Sequence, residues 1–109
     1  MNRIFKVKDF DKYASKIFEK SDFDELNKFI EKLKFNSNLG KPLGYDFLRE
    51  KKIKGKRVYF LVYKEICLIL FVATSDKKAQ QKVINEIKYD LEEYKMYAYD
   101  LYRKLDNDN

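Results

Sequence analysis

The sequence predicts a single α+β domain, in which an N-terminal strand and a helical hairpin pack on an antiparallel sheet in the order β-α-α-β-β-β, followed by a long C-terminal helix. Three observations predict this fold class. A chain of 109 residues has the size of one domain. Hydrophobic residues make up 45% of it, enough for a packed core. Their spacing is helical, then strand-like, then helical again.

The N-terminal third predicts one strand and two helices. Residues 3–8 alternate weakly between apolar and polar and predict a short strand. Asp9 is a candidate N-cap for a helix ending near Glu19, and Ser21 with Asp22 opens a second helix. Both helices have apolar residues at helical spacing: Phe10, Tyr13, Ala14, Ile17 and Phe18 in the first, and Phe23, Leu26, Phe29, Ile30 and Leu33 in the second.

The middle of the chain predicts a three-stranded meander. A loop over residues 36–44 holds the only proline and two of the three glycines. Strands follow over residues 47–53, 57–63 and 66–73, and tight turns at Lys54-Gly55 and Lys64-Glu65 separate them. The last strand is continuously apolar, so we expect it inside the sheet, with its one cysteine, Cys67, buried.

The C-terminal segment predicts one long helix from Asp76 to about Leu105, with Ser75 as its N-cap. Its apolar positions repeat at heptad spacing: Ile84, Ile87, Leu91, Tyr94, Ala98, Leu101 and Leu105. An unbroken helix of this length exceeds the width of the domain. Residues 91–105 must therefore overhang, bend back or pack on another chain, and of these we favour a C-terminal extension that contacts a second copy of the chain; we expect residues 106–109 to be disordered.

The net charge of +6 is concentrated in the meander. Residues 41–64 carry eight basic and two acidic side chains, whereas residues 65–109 carry seven basic and nine acidic ones. A basic patch held on strands favours a polyanion such as RNA or DNA as partner, although such a run is also typical of a solvated surface.

The composition excludes several kinds of site. The chain has no histidine and one cysteine, which excludes imidazole-based catalysis and a structural zinc site, so we expect no metal and no cofactor. Three glycines leave no room for a glycine-rich phosphate loop. No apolar run is long enough to cross a membrane, and the N-terminus lacks the apolar core of a secretion signal. We therefore expect a cytoplasmic protein without a membrane partner.

Four short motifs carry a family resemblance over residues 3–90. Leu39-Gly40-Lys41-Pro42-Leu43-Gly44 resembles a "GKPL" loop, and Leu48-Arg49-Glu50-Lys51-Lys52-Ile53 resembles an "LRELRI" strand. Gly55-Lys56-Arg57-Val58-Tyr59 is similar to a "GxYRVxY" turn and strand, and Ser75-Asp76-Lys77-Lys78 is similar to a lysine-rich turn. In this order, after a strand and two helices, they resemble the RelE/ParE superfamily of type II toxin–antitoxin toxins, with residues 1–90 as the toxin domain.

The resemblance implies a toxin that binds a cognate antitoxin. In the RelE and HigB branches such a toxin cleaves mRNA within the ribosome, and in the ParE branch it inhibits DNA gyrase without cutting nucleic acid. RelE-type nucleases usually carry an arginine just beyond the last strand, where this chain has Thr74-Ser75-Asp76. A non-catalytic, protein-binding toxin homologue therefore stays open as an alternative, and so does a basic nucleic-acid-binding module that dimerises through its last helix.

Cleavage of RNA by its own 2′-hydroxyl needs a base, a cation for the developing phosphorane charge and an acid. Without histidine, we expect lysines crowded by other cations to serve as base and acid, because like charges favour the neutral amine. The predicted catalytic residues are Lys52, Lys54 and Arg57. The predicted RNA-binding residues are Arg49, Lys51, Lys56, Tyr59, Lys77 and Lys78.

Each role has a structural alternative. Arg57 is able to pair with Glu50 across the hairpin, Tyr59 to be a sheet-face aromatic, and the two lysines at 77 and 78 to be solvated. The mechanism requires Arg49, Lys52, Lys54 and Arg57 to converge on one concavity.

Overall fold

One mixed sheet of five strands organises the chain, which this computed structural model describes from Met1 to Asn107, with side chains to Leu105. The strand order is β1-β5-β4-β3-β2, and β1 is parallel to β5 while all other neighbours are antiparallel. The elements in chain order are β1 Arg3–Lys6, α1 Phe10–Ala14, α2 Lys20–Leu33, β2 Lys41–Pro42, β3 Leu48–Ile53, β4 Lys56–Tyr63, β5 Leu68–Ser75, α3 Gln80–Tyr89 and α4 Leu91–Asn107.

Helices cover both faces of the sheet, and β4 divides its side chains between them. Val58, Phe60 and Val62 pack against α1 and α2, on what we call the α1/α2 face. Tyr59, Leu61 and Tyr63 pack on the other side, the α3/α4 face. The alternation of side chains along a strand produces this division. The predicted fold class is confirmed, with β2 as an additional short edge strand, and β5 is an interior strand as expected.

The N-terminal helices begin differently from the prediction. Asp9 precedes α1 but has a φ of 63° and makes no capping hydrogen bond, and α1 ends at Ala14 rather than near Glu19. The second helix begins at Lys20, where Glu19 and Asp22 form a capping box. The backbone N–H of Glu19 donates to the Asp22 carboxylate over 2.8 Å. Asp22, which the sequence predicts at the start of the second helix, therefore caps α2 from the third position of its first turn.

The prediction of a single unbroken C-terminal helix is wrong, because the helix is interrupted at Asp90, which separates α3 from α4. Ser75 belongs to β5 and caps no helix, and α3 begins at Gln80. After the break, α4 folds back on the α3/α4 face, where Ala98 is fully buried. The heptad positions therefore pack within the chain. The prediction of a contact with a second copy depended on one unbroken helix longer than the domain, and no such helix is present among the described residues.

Two smaller expectations also fail. Cys67 is exposed with a φ of 50°, because it ends a 3-10 turn over Lys64–Ile66 instead of lying in the strand. The tail predicted over residues 106–109 is helical up to Asn107, and residues 108–109 lie outside the described residues. Among the described residues, no helix is long and apolar enough to cross a membrane.

Candidate nucleic-acid interface

Polar side chains interrupt the apolar α3/α4 face where β3, β4 and β5 come together. In the register of the sheet, Lys52 lies opposite Arg57, and Arg57 lies opposite Ser75. Directly opposed residues of antiparallel strands point to the same face. We call the resulting group the Arg57 site, which consists of Glu50, Lys52, Arg57, Tyr59, Ser75 and Gln80.

Arg57 is a buried cation that forms no ion pair in the described part of the chain. Only 7% of the residue is exposed, and its Nη1 donates to the carbonyl of Gly55 over 2.9 Å. Its Nε is buried and has no hydrogen-bond partner, and Arg57 forms no ion pair with any residue that the structure describes. The predicted alternative, a pairing of Arg57 with Glu50, is therefore absent. An unpaired buried guanidinium is costly, and an anion at this point removes the cost.

Tyr59 lies beneath Arg57 as a buried member of the sheet. Its hydroxyl is hydrogen-bonded to that of Ser75, with 2.8 Å between the oxygens. Burial raises the pKa of Tyr59 above its usual value, so the phenol is neutral near pH 7. Because none of the residue is exposed, it has no ring face to offer an unpaired base. The stacking role predicted for Tyr59 is therefore wrong, and its contacts are those of a positioning residue.

Glu50 is the site residue that the sequence reasoning missed. Glu50 is 7% exposed, and its Oε2 accepts a hydrogen bond of 3.2 Å from Nε2 of Gln80 at the start of α3. After burial and the Ser75 hydrogen bond, the charges of Glu50 and Arg57 also act on the Tyr59 pKa, in opposite directions. The available signal was strand alternation, which places Glu50 on the face of Lys52.

Arg49 lies on the opposite face and has a structural role. Its guanidinium donates to the carbonyls of Asn38, Gly40 and Asp46 and forms an ion pair of 2.5 Å with the Asp46 carboxylate. These bonds join the loop after α2 to the β2–β3 hairpin and leave the side chain 7% exposed. Arg49 therefore does not join the Arg57 site, contrary to the expected convergence.

Three predicted lysines also point away from the Arg57 site. The ammonium of Lys51 lies 5.4 Å from the centre of the Phe29 ring on the α1/α2 face. Lys54 donates to the hydroxyl of Ser21, and Lys56 pairs with the buried carboxylate of Asp22 at 2.5 Å. Strand alternation and contacts with α2 divide the predicted site cations between the two faces of the sheet. The prediction that four of them meet in one concavity is therefore wrong: Arg49, Lys52, Lys54 and Arg57.

Lys77 and Lys78 are exposed in the loop that joins β5 to α3. They follow Ser75, the register partner of Arg57, by two and three residues. This loop and Lys52 are the exposed basic surroundings of the Arg57 site. Within the described part of the chain, no three histidine, cysteine or carboxylate side chains are grouped so as to hold a metal ion.

Solved structures resemble this chain in fold. A substituted form of E. coli toxin RelE, in complex with a peptide of the antitoxin RelB, aligns with a TM-score of 0.61 and 11% identity over 75% of this chain and 93% of that one. The isolated E. coli RelE toxin aligns with a TM-score of 0.59 and 12% identity over 80% and 99% of the two chains. No family model and no curated protein sequence matches. The chain has a RelE-like fold.

Proposed function

We propose that this RelE-like fold is the toxin of a type II toxin–antitoxin system, and that its Arg57 site binds the phosphate backbone of mRNA at the ribosome and cleaves it. The observation that carries the proposal is the buried Arg57, whose guanidinium makes one hydrogen bond and forms no ion pair with a described residue. A phosphate supplies the negative charge. Arginine is suited to this because its planar guanidinium binds phosphate through two hydrogen bonds.

The residues of the site match the steps of an internal phosphoryl transfer. The 2′-hydroxyl of the RNA gives its proton to the Glu50 carboxylate, and its oxygen forms a bond to phosphorus. Arg57 stabilises the negative charge that develops on the phosphoryl oxygens. The bond from phosphorus to the 5′-oxygen breaks, and the Lys52 ammonium protonates the leaving oxygen. The products are a 2′,3′-cyclic phosphate and a free 5′-hydroxyl.

Lys77 and Lys78 have a supporting role in this proposal. Their charges lie beyond the end of β5 on an exposed loop, where they attract flanking phosphates without base specificity. The cognate antitoxin is a protein that inhibits this action. A complex of the neighbouring RelE toxin with an antitoxin peptide supports such a partner for this fold.

The proposal is tested by expressing the full chain in a bacterial host and mapping mRNA ends by primer extension. We expect growth arrest with new cleavage sites within translated messages. Arg57→Ala and Lys52→Ala should abolish both, because each removes a charge from the site. Lys51→Ala is the matched control, since Lys51 is the neighbour of Lys52 in sequence but lies on the opposite face beside Phe29.

One outcome contradicts the assignment of the active site, and another contradicts the nuclease. Cleavage that survives Arg57→Ala shows that the Arg57 site is not the active site. Growth arrest with intact mRNA favours the second candidate, a toxin that acts by binding protein. One observation supports that candidate: Ser75 is a buried strand residue bonded to Tyr59, where RelE-type nucleases usually have an arginine. Co-expression with the product of an adjacent reading frame then tests the antitoxin, which should restore growth.

A further inference from the structure

Two exposed aromatic rings form a stacked pair at the tip of the β2–β3 hairpin. The ring centres of Tyr45 and Phe47 are 4.9 Å apart and the ring planes differ by 29°. Tyr45 is 45% exposed and Phe47 is 38% exposed. We call this pair the Tyr45/Phe47 platform. Large exposed aromatics are unfavourable in water, so a stacked pair of them is a candidate binding surface.

The backbone under the platform is held in place. The N–H of Leu48 donates to the carbonyl of Tyr45 over 3.3 Å, and the N–H of Leu43 donates to the carbonyl of Leu48 over 2.9 Å. Asp46 lies between Tyr45 and Phe47 in the sequence. Its carboxylate accepts a hydrogen bond from Arg49, which lowers the pKa of that carboxyl group. Arg49 and Lys64 therefore compensate the one acidic charge of the tip. The structural role of Arg49 is thus to fix this turn.

A cation accompanies the rings. Nζ of Lys88, near the end of α3, lies 5.8 Å from the centre of the Tyr45 ring. The same Nζ lies against Gly44, which is the residue before Tyr45. Lys88 therefore lies over the Tyr45 ring, on which Phe47 also stacks. Aromatic rings combined with cations bind the nucleobases and phosphates of single-stranded nucleic acids.

The α3 helix connects the platform with the Arg57 site. Its first residue, Gln80, is bonded to Glu50, and its ninth, Lys88, lies by Tyr45. Lys41 on β2 is exposed and lies opposite Glu50, between the two ends. From Phe47 to Lys52 the strand spans about 17 Å. This is roughly the length of five stacked nucleotides.

We propose that the Tyr45/Phe47 platform binds an unpaired RNA base a few nucleotides away from the phosphate held at Arg57. The proposal rests on the proposed function and adds a second point of contact with the same strand. Lys41, Lys52 and Lys88 accompany the path between the two points, whereas Glu65, Glu92 and Lys95 line the groove at Phe47. The cations along the path favour a polyanion over an apolar peptide. Stacking tolerates every base, so the platform anchors RNA without reading its sequence.

The absence of tryptophan from the chain makes a direct test available. Tyr45→Trp places a single fluorescent indole on the platform of the full chain. We expect a ten-nucleotide oligoadenylate at low salt to quench its fluorescence, because a stacked base contacts the indole. Phe35→Trp is the matched control. Phe35 is 78% exposed after the end of α2, on the other side of the sheet, and its indole should not respond.

Heparin, a polyanion without bases, separates stacking from charge. Heparin should leave the Tyr45→Trp fluorescence unchanged, and equal quenching by heparin and RNA overturns the proposal. Tyr45→Ala should weaken oligoadenylate binding about 5- to 100-fold. Unchanged affinity of Tyr45→Ala, or quenching equal to that of Phe35→Trp, also overturns it.

A further comparison distinguishes failure of the platform from failure of the proposed function. If Arg57→Ala abolishes mRNA cleavage while Tyr45→Trp shows no quenching, the platform proposal fails and the nuclease stands. If the platform binds RNA but the wild type cleaves no mRNA, the nuclease proposal fails and the platform proposal stands. Loss of antitoxin binding in Tyr45→Ala with unchanged RNA affinity makes the platform a protein contact and overturns the proposal.

Discussion

Arg49 and Arg57 are buried arginines on adjacent strands with opposite surroundings. Arg49 makes bonds to three carbonyls and a carboxylate, so its charge and its donors are satisfied. Arg57 has one carbonyl partner, and its buried Nε has none among the described residues. A protein tolerates such a buried group at a functional site, where the ligand completes its bonds.

This contrast predicts opposite effects of the same substitution. Arg57→Met should leave the free energy of unfolding unchanged or raise it by about 1 kcal/mol, because methionine removes an unpaired buried cation. Arg49→Met should lower it by about 3 kcal/mol, because several buried partners lose their donor. Urea unfolding of both variants measures the difference. Equal destabilisation by the two substitutions contradicts this contrast between a fully bonded Arg49 and an unpaired Arg57.

At the residue scale, three members of the Arg57 site were predicted from the sequence and three were not: Lys52, Arg57 and Tyr59 were predicted, and Glu50, Ser75 and Gln80 were not. Strand alternation predicts that Lys52 and Glu50 share one face while Arg49 and Lys51 share the other. A single basic patch is incompatible with that alternation. The burial of Tyr59 depends on α3 and α4 covering its face, and no local pattern around Tyr59 contains that information.

At the scale of elements, the loop before β2 and the β3–β4 turn depend on glycine in different ways. Gly40 and Gly55 both have positive φ, 88° and 83°. A Cβ on Gly40 would lie 2.8 Å from Cζ of Phe60, whereas a Cβ on Gly55 meets nothing within 4 Å. Gly55→Ala should cost about 1–2 kcal/mol of strain. Gly40→Ala should cost about 2–5 kcal/mol, because overpacking is added. Thermal unfolding of both variants tests this order, and equal melting temperatures contradict it.

The contact between β4 and α2 has a predictable pH dependence. The hydrogen bond from Lys56, followed by that from the Glu19 backbone, lowers the pKa of Asp22. The ionised Asp22 contributes its full stabilisation at a pH above its pKa in the unfolded chain, which is about 3.9. That stabilisation is lost as the pH falls through the lowered pKa of the folded state. Lys56→Ala should therefore be less stable than wild type at pH 7, by a margin that narrows below about pH 4.

Urea unfolding between pH 3 and pH 7 measures that margin. Lys51→Ala is the control, because Lys51 contacts the Phe29 ring and forms no ion pair among the described residues. Its margin should be the same at every pH. A constant margin for Lys56→Ala contradicts the assignment of Asp22.

The strands were predictable because β-branched and aromatic runs between turn residues are local signals. The helix boundaries were less so. The heptad spacing continues through Asp90, so periodicity alone indicates no break there. The break depends on the α3/α4 face, which offers Leu61, Tyr63 and Leu70 for α4 to cover. Burial of that face outweighs the continuity of one helix.

At the scale of the whole molecule, an oligomer contact through residues 91–105 stays a prediction, now on different residues. Because α4 packs on its own sheet, its exposed apolar side chains are Met96 and Tyr97, at 67% and 37% exposure. If they form the contact, light scattering should give a dimer mass for the full chain and a monomer mass for Met96→Glu. A monomer mass for the full chain contradicts the contact.

The order of elements and their motifs predicts the RelE-like fold from the sequence alone. The parallel pairing of β1 with β5 was not predictable, because it joins residues more than sixty positions apart. The proposed function therefore depends on one face, where Lys52 lies opposite Arg57.

RNA affinity at increasing salt is the most direct test of whether the Arg57 site binds phosphate. Single-stranded RNA should bind the wild type with an affinity that falls steeply with salt. Arg57→Gln should bind more weakly, with a slope reduced by about 0.7 for one lost phosphate contact. Superimposable binding curves for wild type and Arg57→Gln, with both proteins folded, would contradict phosphate binding at Arg57.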